Sequence, residues 1–384
     1  MKNLFSICCI IVFLAFTTGV TQADTDLFGS AGLDASFCKQ PNDRQTVVYI
    51  DDMMMVDGKS DWATKLASKL RATLAPGERV TIVRLSPASG KSDEIWGGCW
   101  PEFTPGERQK IEKQSYLFSR SPLDGLADQK KFFMRDLDRA LSAIYAAAKR
   151  PGSVAAIDPK QPPDKNIIRA LAFDEGRFAQ SQITIRAIIY SDLAENSDLG
   201  SVFKQTGALD NYGKKLGTYL RRSVFYAYGM GEDVSNAASV LEQTKKFWSN
   251  ALRTMNASVG GLGTDLNMPN AVPVLGRSLV TVLKRDGQDL DGRLSILVDA
   301  DGNLIDAWLQ ISRLSIAGLA GTFKCQGAVD DQTCRLVAKT TSGIVTQADE
   351  EDVSLAGSER AGFSGQIGVK GALSYALQAS KTEN

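Results

Sequence analysis

Short runs of β-branched and apolar residues alternate with helical patterns over the first two thirds of the chain, and this alternation limits the possible folds most. Residues 46–50 (TVVYI), 183–190 and 223–228 are the clearest runs, and 183–190 is the strongest strand pattern in the chain. Runs that are apolar on both faces are typical of strands in a parallel sheet covered by helices. A further strand is predicted over residues 79–85. Strand, helix, strand order therefore predicts an α/β domain built on a parallel sheet.

The helices between these strands are predicted from apolar residues at helical spacing. Trp62, Leu66, Leu70 and Leu74 recur every fourth residue after Ser60, a residue type that caps helix N-termini. Helices are also predicted over residues 128–149, 166–178 and 235–255. Residues 86–125 are rich in Pro, Gly and Ser, and we expect a long excursion there.

The pattern changes to a period of two after residues 256–273, whose glycines and prolines are typical of a linker. Short strands are predicted over residues 294–298, 304–311, 321–324, 334–340 and 367–373, with a hairpin turn at Asp301-Gly302. The predicted organisation is a signal peptide (1–23), an N-terminal extension (24–44), the α/β domain (45–257), a linker (258–275) and a small antiparallel β domain (276–384).

The N-terminus has the three parts of a secretory signal peptide. Lys2 precedes an apolar run over residues 4–20, and Thr21-Gln22-Ala23 precedes Asp24. Small residues at this point suit a signal peptidase, so we predict cleavage after Ala23. An uncleaved membrane anchor is the alternative, although the run is short for a span. No later segment predicts a transmembrane helix, so the mature protein is expected to be soluble. The signal peptide predicts export to the periplasm or to the outside of the cell.

Four cysteines follow the predicted signal peptide: Cys38, Cys99, Cys325 and Cys334. An even number in an exported chain indicates two disulfides, and four cysteines allow three pairings. Cys325 and Cys334 flank a polar turn between two strand patterns and are predicted to pair across a hairpin, which leaves Cys38 for Cys99. A metal site is the weaker alternative, because neither pair has the CxxC spacing of zinc ligands.

Composition excludes several kinds of chemistry. The chain has no histidine, so it cannot form a Ser-His-Asp triad, a Cys-His pair or a histidine zinc site. It has 44 basic and 44 acidic residues, and this balance gives no indication of nucleic-acid binding. No catalytic motif is present, and the sequence predicts a protein that is not an enzyme.

Three segments resemble the von Willebrand factor A (vWA) domain. They are VVYIDDMMM (residues 47–55), IIYSDLAENSD (188–198) and FYAYGMG (225–231), and the resemblance covers residues 45–257. It implies a Rossmann-like, mainly parallel sheet flanked by helices, in an exported bacterial protein. Domains of this family hold a divalent ion, usually Mg²⁺, on an Asp-X-Ser-X-Ser motif, a Thr and a later Asp.

This chain departs from that metal-ion-dependent adhesion site. Asp51 and Asp192 match the two aspartates, but Met53 and Met55 stand at the two serine positions and no threonine is assigned. Thioethers are poor ligands for Mg²⁺, which prefers hard oxygens. Asp52, Asp57, Ser191 and Asp198 could substitute. The sequence thus predicts a degenerate site with no cofactor, and Mg²⁺ on Asp51 and Asp192 stays the alternative.

The resemblance implies a non-enzymatic binding or scaffold protein that uses the strand-end edge of the sheet to bind a protein partner. The predicted partner-binding residues are Asp51, Asp52, Met53, Asp192, Glu195 and Asn196. Two other functions stay open. One is a hydrolase that divides acid and base roles between Asp51, Asp52 and Asp192. The other is an envelope polymer-binding protein that acts through its C-terminal β domain.

Overall fold

The computed structural model describes residues 32–114, 121–152, 158–204, 220–232, 237–312, 315–327, 332–346, 348–369 and 371–381. The predicted signal peptide and its cleavage site lie outside these residues. In the described part of the chain, no helix is both long and apolar enough to span a bilayer.

The N-terminal domain is a six-stranded sheet flanked by helices. Its strands are β1 (Arg44–Asp51), β2 (Arg79–Ser86), β3 (Lys91–Cys99), β4 (Thr184–Tyr190), β7 (Ser223–Tyr228) and β8 (Ala257–Leu262), and β5 (Asn196–Ser197) pairs with β6 (Gly200–Ser201) outside this sheet. Its helices are α1 (Asp61–Thr73), α2 (Pro105–Lys113), α3 (Leu126–Ala148), α4 (Ile167–Phe173), α5 (Glu175–Gln180) and α6 (Ala237–Thr254).

The sheet order is β3-β2-β1-β4-β7-β8, with every pair parallel except β2 and β3. Alternate residues of β1 enter two cores. Val47 and Tyr49 pack on the face that carries Trp248 of α6, and Val48 and Ile50 pack on the face that carries Leu66 of α1. The predicted mainly parallel α/β sheet is confirmed, and the two buried faces explain why its central strands are rich in apolar residues.

The C-terminal domain is a closed antiparallel barrel. Its strands are β9 (Leu275–Arg285), β10 (Gln288–Val298), β11 (Trp308–Ile311), β12 (Ser315–Gln326), β13 (Thr333–Thr340), β14 (Asp352–Ser358), β15 (Gly362–Gly368) and β16 (Ser374–Lys381). Consecutive strands pair, and β16 closes on β9. Strand β13 alternates exposed and buried residues, which confirms the period-two prediction of an antiparallel β domain.

Two segments differ from the sequence prediction. Residues 91–99 form the antiparallel edge strand β3 inside the predicted excursion, and residues 257–262 form strand β8 where the linker was expected to begin. The glycines misled the prediction. A Cβ at Gly260 would lie 2.5 Å from the Tyr226 ring, so this glycine permits close packing in a strand and does not signal a flexible linker.

Both predicted disulfides are present. Cys38 pairs with Cys99 across a sequence separation of 61 residues, and Cys325 pairs with Cys334 across nine. The second pair joins directly opposed residues of β12 and β13, as predicted for a hairpin. The first attaches the segment before β1 to the edge strand β3.

Candidate functional site

The carboxyl ends of β1 and β4 bring the two predicted metal ligands together. These strands are parallel neighbours with Ile50 opposite Tyr190, so Asp51 and Asp192 leave the sheet at the same level. The structure places one side chain between them that the sequence did not predict. The Lys165 Nζ lies 2.7 Å from Asp51 Oδ2 and 2.5 Å from Asp192 Oδ1. We call these three residues the Lys165 bridge.

Lys165 is held in place by its own backbone. It directly precedes Asn166 and α4, and its N–H donates to the Asn196 carbonyl while the Asn196 N–H donates to the Lys165 carbonyl, both at 2.9 Å. The lysine side chain is 2% exposed. The loop after β4 therefore clamps the segment before α4 and fixes the ammonium under it.

The carboxylates of the bridge accept further hydrogen bonds. Ser191 Oγ donates to Asp51 Oδ2 at 2.6 Å, and the Met53 N–H donates to Asp51 Oδ1 at 2.9 Å. The Ala194 N–H donates to Asp192 Oδ1 at 2.9 Å. The other oxygen, Asp192 Oδ2, is buried without a hydrogen-bond partner among the described residues. The site is thus ordered, with one carboxylate oxygen unsatisfied.

The charges of the bridge stabilise one another. Burial lowers the pKa of Lys165, but the adjacent carboxylates of Asp192 and Asp51 raise it more, so its pKa is above the ordinary value and the ammonium is retained. Burial and the nearby Asp192 raise the pKa of Asp51, while Lys165 acts in the opposite direction. The bridge has two carboxylates and one ammonium, which leaves an excess of one negative charge when both aspartates are ionised.

These residues do not fit a divalent metal ion in the place that the resemblance implies. The ammonium occupies the position from which both carboxylates are reached, and a cation there would meet its positive charge. Met55 is fully buried and Met54 nearly so, because both pack in the core between the sheet and α1. Across the described residues, no cluster of three or more acidic or cysteine side chains is arranged to hold a metal.

The other predicted partner-binding residues connect loops of the protein itself. Asp52 accepts a hydrogen bond from Ser86 Oγ at 2.6 Å, and the Asn196 side-chain amide donates to the carbonyls of Pro162 and Pro163. Asp51, Asp192, Glu195 and Asn196 are all buried. In this structure these four side chains present almost no surface, so their contact with a partner stays a prediction that would require the loops to move. Asp52 and Met53 are partly exposed.

Glu195 gives the edge a pH dependence. Its carboxylate accepts hydrogen bonds from the Ile168 N–H in the first turn of α4 at 3.0 Å and from Ser197 Oγ of β5 at 2.5 Å. Burial raises its pKa to about 7, although Ser197, the Ile168 and Ile167 amides and Lys165 act in the opposite direction. The folded protein therefore favours protonated Glu195.

We expect Glu195 to reduce stability as pH rises. Its folded-state pKa is raised, so its stabilising effect is complete below its unfolded value near 4.5 and is lost as pH rises towards about 7. The loss should be about 2–3 kcal/mol. Chemical denaturation at about pH 5 and about pH 8 measures the difference in the free energy of unfolding between the two conditions. This difference should be smaller for Glu195→Gln than for the wild type, and the exposed control Glu175→Gln should leave it unchanged. Equal pH slopes for Glu195→Gln and the wild type would refute the assignment.

A second buried charge network lies at the opposite end of the sheet. Arg44 at the start of β1 contacts Glu78 at 2.8 Å and Asp306 of the barrel domain at 2.6 Å, and Arg186 of β4 contacts Glu78 at 3.2 Å. Tyr226 of β7 donates to Asp306 at 2.6 Å. We call Arg44, Glu78, Arg186 and Asp306 the basal network. It joins the two domains through hydrogen-bonded charges.

Sequence reasoning missed both clusters, although each left a signal. Arg186 interrupts the strongest apolar strand pattern, where an unpaired charge would be costly. Lys165 lies just before a helix N-terminus, where the helix dipole disfavours a cation. A charged residue placed against such a preference indicates a buried partner.

No family model matches this sequence, and no curated protein matches it. Among solved structures, the ArnB paralog VWA2 from Sulfolobus acidocaldarius is similar, with 13% identity and a TM-score of 0.31 over 82% of this chain and 66% of that one. The human COPII-coat protein Sec24c is similar with 7% identity and a TM-score of 0.29, over 91% of this chain and 45% of that one. This chain thus spans less than two thirds of either protein.

The fold class follows from the strand order of the chain itself. The N-terminal domain is a mainly parallel, Rossmann-like sheet with one antiparallel edge strand and flanking helices, as the resemblance implied, and the closed eight-stranded barrel follows it. The aspartates at the ends of β1 and β4 lie at the edge where open α/β sheets bind ligands.

Proposed function

We propose that this chain is a non-enzymatic binding or scaffold protein, exported by a bacterium to its periplasm or cell surface. In this proposal the strand-end edge of the vWA-like domain binds a protein partner without a metal ion. The observation that carries it is the Lys165 bridge, in which a lysine ammonium holds both edge aspartates. The edge is thereby assembled without an added cation.

The surface available to a partner is the loop at residues 57–60, together with part-exposed Asp52 and Met53. All four loop residues are exposed, and the Asp57 side chain is 61% exposed at 3.5 Å from Lys149. This loop follows the 3-10 turn Asp52–Met54 at the end of β1 and leads into α1. The Asp57 N–H donates to the Arg150 carbonyl at 2.7 Å, which fixes where the loop starts. A loop held on a rigid scaffold is suited to specific binding.

A carboxylate hydrolase is less well supported. A general base must reach a proton of its substrate, and Asp51 and Asp192 are buried and paired with Lys165. Asp52 is engaged by Ser86. These contacts favour a structural role for the three carboxylates, and they support a protein that is not an enzyme.

Two disulfides support export, because such bonds persist mainly in oxidising compartments. They also stabilise the segments that they join, namely the region before β1 and the β12–β13 hairpin.

Partner capture with charge-reversed variants tests the proposal. Tagged full-length protein would be crosslinked in envelope extracts of the source organism, and one partner quantified by mass spectrometry. We expect Asp57→Lys to reduce its recovery at least about tenfold, because reversing a charge inside an interface costs more than 1.4 kcal/mol. The matched control Asp289→Lys, exposed on β10 of the barrel, should retain it.

Chelation provides the second comparison. Recovery should be unchanged by EDTA if no metal takes part. Loss of the partner with EDTA would refute binding without a metal ion. Undiminished recovery with Asp57→Lys would refute binding by this edge. Loss only with Asp289→Lys would move the function to the barrel, as the polymer-binding alternative expects.

A further inference from the structure

A cleft of about 790 Å³ lies between the barrel and the amino-terminal ends of β7 and β8. Arg222 and Asn256 directly precede these two strands, which are parallel neighbours, and both residues line one wall. Arg293 of β10 and Gln310 of β11 are paired opposite each other and line the other wall. We call this space the interdomain cleft. Its volume is typical of a site for a small molecule.

Three arginines converge on the interdomain cleft. Arg221 and Arg222 come from the segment before β7, and Arg293 comes from the barrel. Burial lowers the pKa of Arg222, and the charges of Arg293 and Arg221 lower it further. Arg222 donates through Nη1 to the Ser181 carbonyl at 2.5 Å and to Gln182 Oε1 at 2.8 Å, and these acceptors carry no charge. The cluster is therefore complementary to an anion.

The acidic side chains of the interdomain cleft do not neutralise this cluster. Asp289 and Asp291 lie on β10 at its rim, where both are exposed to water. Within the described residues, neither forms an ion pair with Arg222 or Arg293, and Arg293 has no ion pair at all. Three guanidinium groups thus face two solvated carboxylates, which leaves an excess of positive charge.

Two amide side chains lie beside the arginines. Gln310 Nε2 donates to Asn256 Oδ1 at 3.3 Å. Asn256 Nδ2 and Gln310 Oε1 have no hydrogen-bond partner in the part of the chain that the structure describes, although Asn256 is only 3% exposed. An amide N–H donor and an amide oxygen acceptor can each bind a hydroxyl group. The cleft therefore offers hydrogen bonds to neutral groups next to its positive charge.

The backbone around the interdomain cleft is strained. Arg222, Asn256 and Ser312 line it with positive φ angles of 57°, 62° and 56°. They are three of the six non-glycine residues with positive φ that the described ranges contain. Such residues are uncommon and cluster at ligand sites, because the surrounding structure has to hold them in place.

We propose that the interdomain cleft binds an acidic sugar, with Arg222 and Arg293 on its carboxylate or phosphate group and with Asn256 and Gln310 on its hydroxyl groups. Guanidinium groups bind carboxylates and phosphates through paired N–H donors. Leu290 also lines the cleft and is partly exposed, so it supplies apolar surface for the carbon atoms of a sugar ring. Each domain contributes one wall, and the site requires both.

Isothermal titration calorimetry of the full-length protein with glucuronate and with glucose 6-phosphate tests the proposal. We expect saturable binding of one molecule of at least one acidic sugar, and at least about tenfold weaker binding of neutral glucose. Added NaCl should weaken binding, because salt screens charge attraction. Binding of glucuronate alone would identify the carboxylate as the recognised group, and binding of the phosphorylated sugar alone would identify the phosphate.

Three results would overturn the proposal. The first is saturable binding of neither acidic sugar, and the second is equal affinity for an acidic sugar and for glucose. The third is inorganic phosphate that binds as tightly as the phosphorylated sugar to a protein without affinity for glucuronate, because the hydroxyl contacts would then contribute nothing.

Arg293→Gln locates the site, because Arg293 is partly exposed and its replacement breaks no ion pair among the described residues. It should weaken binding of the acidic sugar at least about tenfold. The matched control is Arg335→Gln, which removes the same charge from an exposed position on β13 outside the cleft and should bind like the wild type. Equal affinities of these two variants would refute the assignment.

Gln310→Glu provides a second test that does not depend on the first variant. A carboxylate at this position repels an anion and pairs with the adjacent arginine, so binding should again fall at least about tenfold. Undiminished binding by folded Gln310→Glu would contradict the proposed contacts. These variants leave residues 57–60 unchanged, at the opposite end of the sheet, so their outcome is independent of partner capture.

Discussion

Replacing Glu78 by Gln is expected to lower the free energy of unfolding by about 3–5 kcal/mol, because it removes the shared anion of a buried network. Glu78 is fully buried and lies between Arg44 and Arg186, and it also accepts the Ala75 N–H at 2.8 Å. Burial alone raises the pKa of Glu78, but the two guanidinium groups lower it more, which places it below its ordinary value. The charged carboxylate is therefore the stabilising form.

Without that charge, two arginines remain buried beside a neutral amide. Arg44 retains its salt bridge with Asp306, whereas Arg186 loses its salt bridge with residue 78. Glu94→Gln is the matched control, because Glu94 contacts Arg177 at 2.7 Å but is 41% exposed. Its loss should be below about 1 kcal/mol, as for surface ion pairs. Urea denaturation measures both, and similar losses for the two variants would show that the basal network is not a major source of stability.

Replacing Lys165 by Met is expected to lower the free energy of unfolding by about 3–5 kcal/mol at neutral pH. Methionine has a similar length but no charge, so Asp51 and Asp192 would face each other as buried, like-charged groups. The loss should shrink at low pH. Lys165 is the group that lowers the pKa of buried Asp51, so without the ammonium the folded-state pKa of Asp51 rises further. Its stabilising effect is then complete below the unfolded value and is lost as pH increases above it.

The control is Lys65→Met, which removes an exposed pair with Asp265 at 3.3 Å. Its effect should be small and should not vary with pH in the same way. Denaturation of both variants at about pH 5 and about pH 8 separates the two cases. A Lys165→Met loss that is the same at both pH values would contradict an ion pair with ionised aspartates.

The fold was predictable from sequence where burial leaves a pattern. Strands β1, β4 and β7 are covered on both faces and are rich in apolar residues, and barrel strand β13 alternates exposed and buried residues. Strand β8 was missed because it contains Gly260 and Gly261, which permit close packing there. Glycines are also typical of linkers, so the sequence of this edge strand resembles that of a linker. Strand β3 was missed because its edge position requires few apolar residues.

The candidate site was predictable only in part. Asp51 and Asp192 follow strands that are neighbours in a parallel sheet, so their meeting follows from topology. Lys165 lies in a polar, proline-containing segment with no periodicity, and a lysine there is normally solvated. Its burial depends on a tertiary contact with Asn196, which local sequence does not specify. The burial of Asp51, Asp192, Glu195 and Asn196 likewise depends on tertiary contacts.

In the wild-type protein the Lys165 ammonium lies between the carboxylates of Asp51 and Asp192, in the place that the resemblance gives to a metal ion. Anomalous X-ray diffraction at the manganese edge, from wild-type crystals grown with MnCl₂, tests it most directly. The predicted result is electron density for Lys165 Nζ between the two carboxylates and no anomalous peak there. A manganese peak bonded to both aspartates, with the lysine displaced, would contradict the claim.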